Sequence, residues 1–260
     1  MTAATSRQTQ EDTITSDDEL VLVEDRGDWA VITLNRPEKR NAMNRAAQDR
    51  LREALAAVHE KKAVVVTGVG KSFCSGIDLT EEQPPAKPGR RASAKIGNWA
   101  EVNEEIRNHP AIFISAVNGF ALGGGSTLIH NSELAIAGES ASIGTPEMAF
   151  GAWAALSGPS LINRVLPKHA AQLIFLAKRI DAHTALRMGI VNEVVPDDEL
   201  LPRAFEIAEL IGSFDPITLD WGKRAFRAMV NTSWEDAMEL SRRTGSSIAA
   251  ARSHEASPLD

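Results

Sequence analysis

The sequence predicts an α/β protein on three observations. Short runs of β-branched and apolar residues alternate with segments whose apolar residues recur at helical spacing, and beyond Asp181 helical patterns dominate. The first strands fall at 20–24 and 29–34. A helix follows at about 44–60, where Leu51, Leu55 and Val58 keep helical spacing. Ala63-Val64-Val65-Val66-Thr67 is the strongest strand candidate, 111–117 is another, and 134–137 is a short one. Helices are expected at 158–165 and 170–176, then at 182–188, 199–212, 217–230 and 234–251, where apolar stripes opposite charged faces serve packing. The stretch 81–97 holds Pro84, Pro85, Pro88, Gly89, Arg90 and Arg91, so it reads as a mobile loop, either a lid or a plain surface insertion.

At 260 residues and 43% hydrophobic content, the chain can bury a sizeable core. Residues 1–19 are rich in Thr, Ser, Gln, Asp and Glu and have no apolar stretch, which predicts a flexible tail rather than a signal peptide. A core is expected over 20–198 and a helical region over 199–260, with no internal repeat in the sequence. No apolar run is long enough to cross a membrane. The single cysteine, Cys74, excludes an internal disulfide and points to the cytoplasm. A net charge of −7 argues against nucleic acid and anionic membranes as partners.

The chemistry concentrates in two loops. Val117-Asn118-Gly119-Phe120-Ala121-Leu122-Gly123-Gly124-Gly125-Ser126-Thr127 runs from a strand through three glycines into a helix that opens at Ser126–His130. Such a turn aims free N–H groups outward at the positive end of the helix dipole, where an oxygen that becomes anionic is stabilised. The second loop, Lys71-Ser72-Phe73-Cys74-Ser75-Gly76-Ile77-Asp78-Leu79, follows the strand at 63–67. Backbone N–H groups of Ser75 and Gly124 are the expected pair of donors for one enolate oxygen. Other motifs are decoys. Gly68-Val69-Gly70-Lys71-Ser72 resembles the end of a phosphate-binding loop, but Val65 stands where its first glycine belongs. The glycine triplet lacks dinucleotide spacing, six histidines lack metal-ligand spacing, and no Gly-x-Ser-x-Gly elbow exists.

These pieces, taken in order with Leu34-Asn35-Arg36-Pro37-Glu38-Lys39-Arg40-Asn41-Ala42-Met43, Thr145-Pro146-Glu147 and Met188-Gly189-Ile190-Val191-Asn192-Glu193-Val194-Val195-Pro196, resemble the crotonase, or enoyl-CoA hydratase/isomerase, superfamily over roughly residues 20–250. The resemblance implies a spiral of β-β-α units, a helical C-terminal region used for trimer packing, and acyl-CoA thioesters as substrates. CoA would enter only as part of the substrate, with no metal and no other cofactor, and the assembly would be a homotrimer or hexamer. The acid/base residue it implies is Glu147, expected to lie against Ala149, Phe150 and Trp153. Contacts to the acyl-CoA are expected from Lys39, Arg40 and Ala42, from Gly76, Ile77, Asp78 and Leu79, and from Thr127 and Trp153. Lys223 is a weaker candidate, acting across a subunit boundary. Lys39 and Arg40 also suit CoA phosphates on charge alone.

One departure matters. Two-glutamate hydratases of the superfamily carry a second carboxylate where Thr127 stands, so this chain resembles its single-glutamate members: double-bond isomerases and hydroxycinnamoyl-CoA hydratase-lyases. Thr127 could hold a water through its hydroxyl but could not act as a base. The chain has no Tyr, which makes phenolic substrates doubtful. Enoyl-CoA hydration is the first expectation and 3,2-isomerisation the second. Hydrolysis or carbon–carbon cleavage would need another base, for which only His130 and Asp78 lie near, and non-catalytic acyl-CoA binding is a fourth reading. Glu133 is expected to be structural.

Overall fold

The computed structural model describes residues 19–80 and 98–255. The expected N-terminal tail, apart from Glu19, and the expected lid at 81–97 lie outside the described residues. The first half of the described chain contains β1 (Val21–Asp25), β2 (Trp29–Leu34), α1 (Arg45–Ala57), β3 (Ala63–Gly68), β4 (Ser72–Cys74), α2 (Trp99–Asn108), β5 (Ile112–Val117), β6 (Phe120–Leu122) and α3 (Gly124–Asn131). There follow β7 (Leu134–Gly138), β8 (Ser142–Gly144), α4 (Ser157–Ile162), α5 (Pro167–Leu176), β9 (Ile180–Asp181), α6 (Ala182–Met188), β10 (Glu193–Val195), α7 (Leu200–Gly212), α8 (Pro216–Met229) and α9 (Trp234–Glu255).

Two sheets organise these elements. One has six strands in the order β1-β2-β3-β5-β7-β10, and the other has four in the order β4-β6-β8-β9. Each turn of the chain lays one strand in the first sheet and the next in the second: β3 then β4, β5 then β6, β7 then β8. Helix α2 separates the first two turns and α3 the next two, so the β-β-α spiral is present. All pairings in the first sheet are parallel except β1 with β2.

The unbroken apolar run of β3 follows from burial on both faces. Val64 and Val66 point into the main core with Ile32, Phe113 and Ala135, whereas Ala63 and Val65 join Val31, Ile114 and Ile136 against Leu200, Ala204, Ala208 and Ile211 of α7. The period of two thus divides one strand between two cores. Most expected elements are present with shifted ends: α1 stops at Ala57, α4 is shorter than 158–165, and α5 begins at Pro167, a proline suited to a helix's first position. Helix α2 and strands β4, β6, β8, β9 and β10 had no counterpart in the expectations.

Candidate active site

The glycine loop forms the turn between β6 and α3. Gly123 takes φ 52° and ψ −119°, a conformation closed to side-chain-bearing residues, and its N–H donates to Gly144 C=O at 2.9 Å, tying the turn to β8. Gly124 then opens α3, and its N–H has no hydrogen-bond partner among the described residues, as is usual for the first N–H of a helix.

The second loop abuts this turn. Gly76, at φ 96°, packs so closely that a Cβ there would lie 2.7 Å from Leu122 O and 3.2 Å from Gly124 N. Ile77 forms a single parallel bridge with Met43: Met43 N–H donates to Gly76 C=O (2.8 Å) and Asp78 N–H donates to Met43 C=O (3.1 Å). In that pattern the N–H of Ile77 itself points away from Met43, and it too has no partner among the described residues. The expected donor, Ser75, is a correction. Its N–H is spent on Arg40 C=O at 3.0 Å, so the donor that this loop offers beside the Gly124 turn is Ile77, whose N–H is without a partner among the described residues.

Glu147 begins a short 3-10 turn, Glu147–Phe150, closed by the left-handed Gly151. Its carboxylate lies over Gly123, with Oε1 3.3 Å and Oε2 3.8 Å from the point a Cβ there would occupy. Oε1 accepts from Ser157 Oγ at 2.5 Å, whereas Oε2 is buried with no partner among the described residues. The wall expected from Ala149, Phe150 and Trp153 does not form. Phe150 is 73% and Trp153 56% exposed, and the small residues Gly123 and Ser157 meet the carboxylate instead. Trp153 lies along the surface near Gly158.

Thr127 is fully buried and does not hold its hydroxyl out to a ligand. Thr127 Oγ1 donates to Gly124 C=O (2.6 Å) and accepts from the indole N–H of Trp99 (3.1 Å), which also reaches Gly124 C=O at 3.1 Å. Trp99, wholly buried at the start of α2, therefore braces the turn from beneath.

Lys39 and Arg40 are exposed on the turn whose Arg40 carbonyl meets Ser75 N–H, and Ser75 Oγ contacts Lys39 C=O at 3.4 Å, so the backbone of both residues stands beside the second loop. Asn41 holds that turn, donating from Nδ2 to Ser72 C=O (2.6 Å) and Val69 C=O (3.1 Å). Ala42 is buried, its carbonyl accepting from the Arg36 guanidinium, and Leu79 is exposed. Asp78 is engaged structurally: its carboxylate accepts from Thr80 N–H (3.0 Å) and Oγ1 (2.7 Å) and pairs with Arg36 at 3.2 Å. Burial alone would raise its pKa, but those bonds outweigh it and hold Asp78 below the usual carboxylate range. Burial pushes the Cys74 thiol up to about 12.

Two candidates are displaced. Lys223 reaches the amino end of β5, where Nζ donates to Ala111 C=O (2.5 Å), pairs with Glu133 (3.2 Å) and is buried, so its ammonium is already engaged inside its own chain. Glu133 is structural as expected, accepting from Phe113 N–H at 2.9 Å. His130 is buried with Nδ1 3.2 Å from Ser160 Oγ, and desolvation, with Arg164 nearby, pushes its pKa down to about 3. It offers no second base. Among the described residues no cluster could hold a metal ion, and no helix is long and apolar enough to cross a membrane. Ile77 as a backbone donor, Trp99 and Ser157 went unread. For Ser157 the available signal was a small polar residue within an apolar stretch ten positions after Glu147.

A two-sheet spiral with a carboxylate over the glycine turn that starts α3 defines the crotonase class. The model of the family described as enoyl-CoA hydratase/isomerase matches residues 25–258, and the chain belongs to that family. It is 37% identical over 213 residues to the short-chain-enoyl-CoA hydratase of Clostridium acetobutylicum, covering 79% of this chain and 80% of that one. It is 34% identical over 227 residues to the crotonyl-CoA hydratase of Syntrophomonas wolfei, covering 85% and 86%. Among solved structures, enoyl-CoA hydratase from Bacillus anthracis superposes with a TM-score of 0.81 at 29% identity, over 88% of this chain and 90% of that one.

Proposed function

We propose that the protein hydrates a 2-enoyl-CoA, with Glu147 as its one acid/base group. The observation that carries this reading is the Glu147 carboxylate, whose buried Oε2 has no partner among the described residues and lies beside the turn bearing the free Gly124 N–H. The thioester oxygen accepts from the N–H groups of Ile77 and Gly124, which stabilise the enolate as it forms. Such preorganised donors supply the larger share of the rate. Glu147 takes a proton from the attacking water as oxygen bonds to Cβ, and then delivers a proton to Cα. Because Thr127 is committed to Trp99 and Gly124, Glu147 orients the water without a second carboxylate. Lys39 and Arg40 meet the CoA phosphates, and the reaction needs no cofactor beyond the CoA of the substrate. The names of the relatives support hydration. A homotrimer or a hexamer is the proposed assembly.

The single carboxylate also favours a second reading, 3,2-isomerisation, in which Glu147 carries a proton from C2 to C4 of a 3-enoyl-CoA. Mass analysis of short- and medium-chain 2-enoyl-CoA after incubation separates the two. Gain of one water with wild type, slowed by about 10²- to 10⁴-fold in Glu147→Gln, is the expected result. No mass change, together with conversion of a 3-enoyl-CoA to its 2-enoyl isomer, would transfer the assignment to isomerisation.

A further inference from the structure

Glu147 is held by a side chain that no motif announces. Ser157, 1% exposed at the start of α4, donates from Oγ to Glu147 Oε1 at 2.5 Å. The serine is itself braced: Ser160 Oγ donates to Ser157 C=O at 3.1 Å, and His130 Nδ1 lies 3.2 Å from the same Ser160 oxygen. With the Ser160 hydroxyl donating to Ser157 C=O, the matching His130 tautomer donates from Nδ1 and leaves its buried Nε2 as an acceptor without a partner among the described residues. The low basicity of His130 agrees with a neutral imidazole serving as scaffold, not as a second base.

We propose that Ser157 is a positioning residue that makes Glu147 a one-oxygen proton shuttle. This rests on the reading of Glu147 as the acid/base group. The last torsion of a glutamate is broad and nearly twofold, so an unheld carboxylate presents either oxygen over a wide range of angles. A hydrogen bond to Oε1 removes that freedom. It leaves Oε2, without a partner among the described residues, to take the proton and to return it on the same face. In a site with no second carboxylate, that restraint replaces the alignment two acidic groups would share.

The test compares Ser157→Ala, Ser157→Thr and Ser157→Val with wild type in two assays. One is hydration of crotonyl-CoA; the other is exchange of the Cα protons of butyryl-CoA with deuterium from solvent, which needs the base and the oxyanion donors but no addition of water. Thr and Val have nearly the same shape and differ in the hydroxyl, so the pair remains informative if Ala fails to fold, as judged by thermal melting. The expected result is a loss of about 10- to 100-fold in kcat and in exchange rate for Ala and Val, with KM within about twofold and most of the rate restored in Thr. Equal rates in Thr and Val, or a loss that appears mainly in KM, would overturn the proposal. Wild-type hydration that is indifferent to Ser157 rejects the positioning role and keeps the hydratase reading. Exchange that depends on Ser157 in a wild-type protein unable to hydrate does the reverse. A wild-type protein that neither hydrates nor exchanges would reject both.

Discussion

At the scale of single residues, the turn that carries the Gly124 N–H depends on a donor supplied from another helix. Trp99→Phe removes the indole N–H shared by Gly124 C=O and Thr127 Oγ1 and, because the phenyl ring is smaller than the indole, leaves a cavity at this fully buried position. The lost hydrogen bonds and the cavity together should cost about 2–4 kcal/mol in urea titrations, with a severalfold fall in kcat as the turn loosens. His130 predicts an acid-side weakness. Its folded pKa, about 3, lies below the unfolded value near 6.5, so the unfolded chain binds the extra proton between those limits. The sign follows directly: the contribution is complete above pH 6.5 and is lost as pH falls toward 3, with a slope of up to about 1.4 kcal/mol per pH unit. His109, pushed by burial to about 4, adds to the same window. His130→Asn, which keeps a donor near Nδ1 and does not titrate, should flatten the fall in stability between pH 7 and 4.5. A slope unchanged from wild type would reject the assignment to His130. Glu147 was legible because its Pro-Glu context sits at a fixed place after the glycine loop. Ile77 was not, since the direction of its N–H is set by the bridge to Met43, more than thirty positions upstream, and no local pattern encodes it. Ser157 was hidden for the same reason, its partner being fixed by the turn that brings α4 back to Glu147.

At the scale of elements, a buried charge cluster fastens α8 to the spiral. Glu133, between α3 and β7, pairs with both Lys223 and Arg227 of α8 and also accepts from the Phe113 N–H of β5. Arg227 further donates to Asn131 C=O at 2.9 Å, answering the carbonyl end of α3. Glu133→Gln strands two buried cations and should cost about 3–5 kcal/mol, whereas Lys223→Met removes a cation whose pKa burial has already pushed down to about 8, and should cost far less. In either variant, the folded fraction should keep its KM for an acyl-CoA within twofold. A large rise in KM for Lys223→Met alone would return this lysine to substrate binding. The long elements were readable because β3 and β5 are apolar but for Thr67 and Ser115, and the C-terminal helices carry clear stripes. Strands β4, β6 and β8 span three residues each, too short for alternation to register. Helix α2 was legible in principle, since Trp99, Val102 and Ile106 keep the i, i+3, i+7 spacing of an amphipathic helix directly after the proline-rich stretch.

At the scale of the whole molecule, the two cores are closed but the outer helical surface is not. Trp221, Phe226, Val230 and Trp234, from α8 to the start of α9, are 41%, 52%, 38% and 73% exposed, and Leu210 and Phe214 nearby in sequence are 58% and 47% exposed. An isolated chain with a net charge of −7 gains solubility from its charge, and that many large apolar side chains on consecutive helices fits the proposed homotrimer or hexamer. Burying the exposed parts of Phe226 and Trp234 would contribute about 2–4 kcal/mol before the cost of association, scaled from about 1.5–3 kcal/mol for a large side chain fully removed from water. The proposed homotrimer or hexamer would give three or six times 28.0 kDa in light scattering. Substituting Trp221→Glu and Phe226→Glu together places charges where the partner must pack, and the double variant should elute near 28.0 kDa with an unchanged far-UV circular dichroism spectrum. The site and the assembly then separate cleanly: Glu147 and the Gly124 turn lie within one chain, so a monomeric variant that retains α-proton exchange would place all the acid/base chemistry in a single subunit. A wild-type mass of 28.0 kDa at micromolar concentration would instead show that these side chains face solvent in the working protein, and self-association would be rejected.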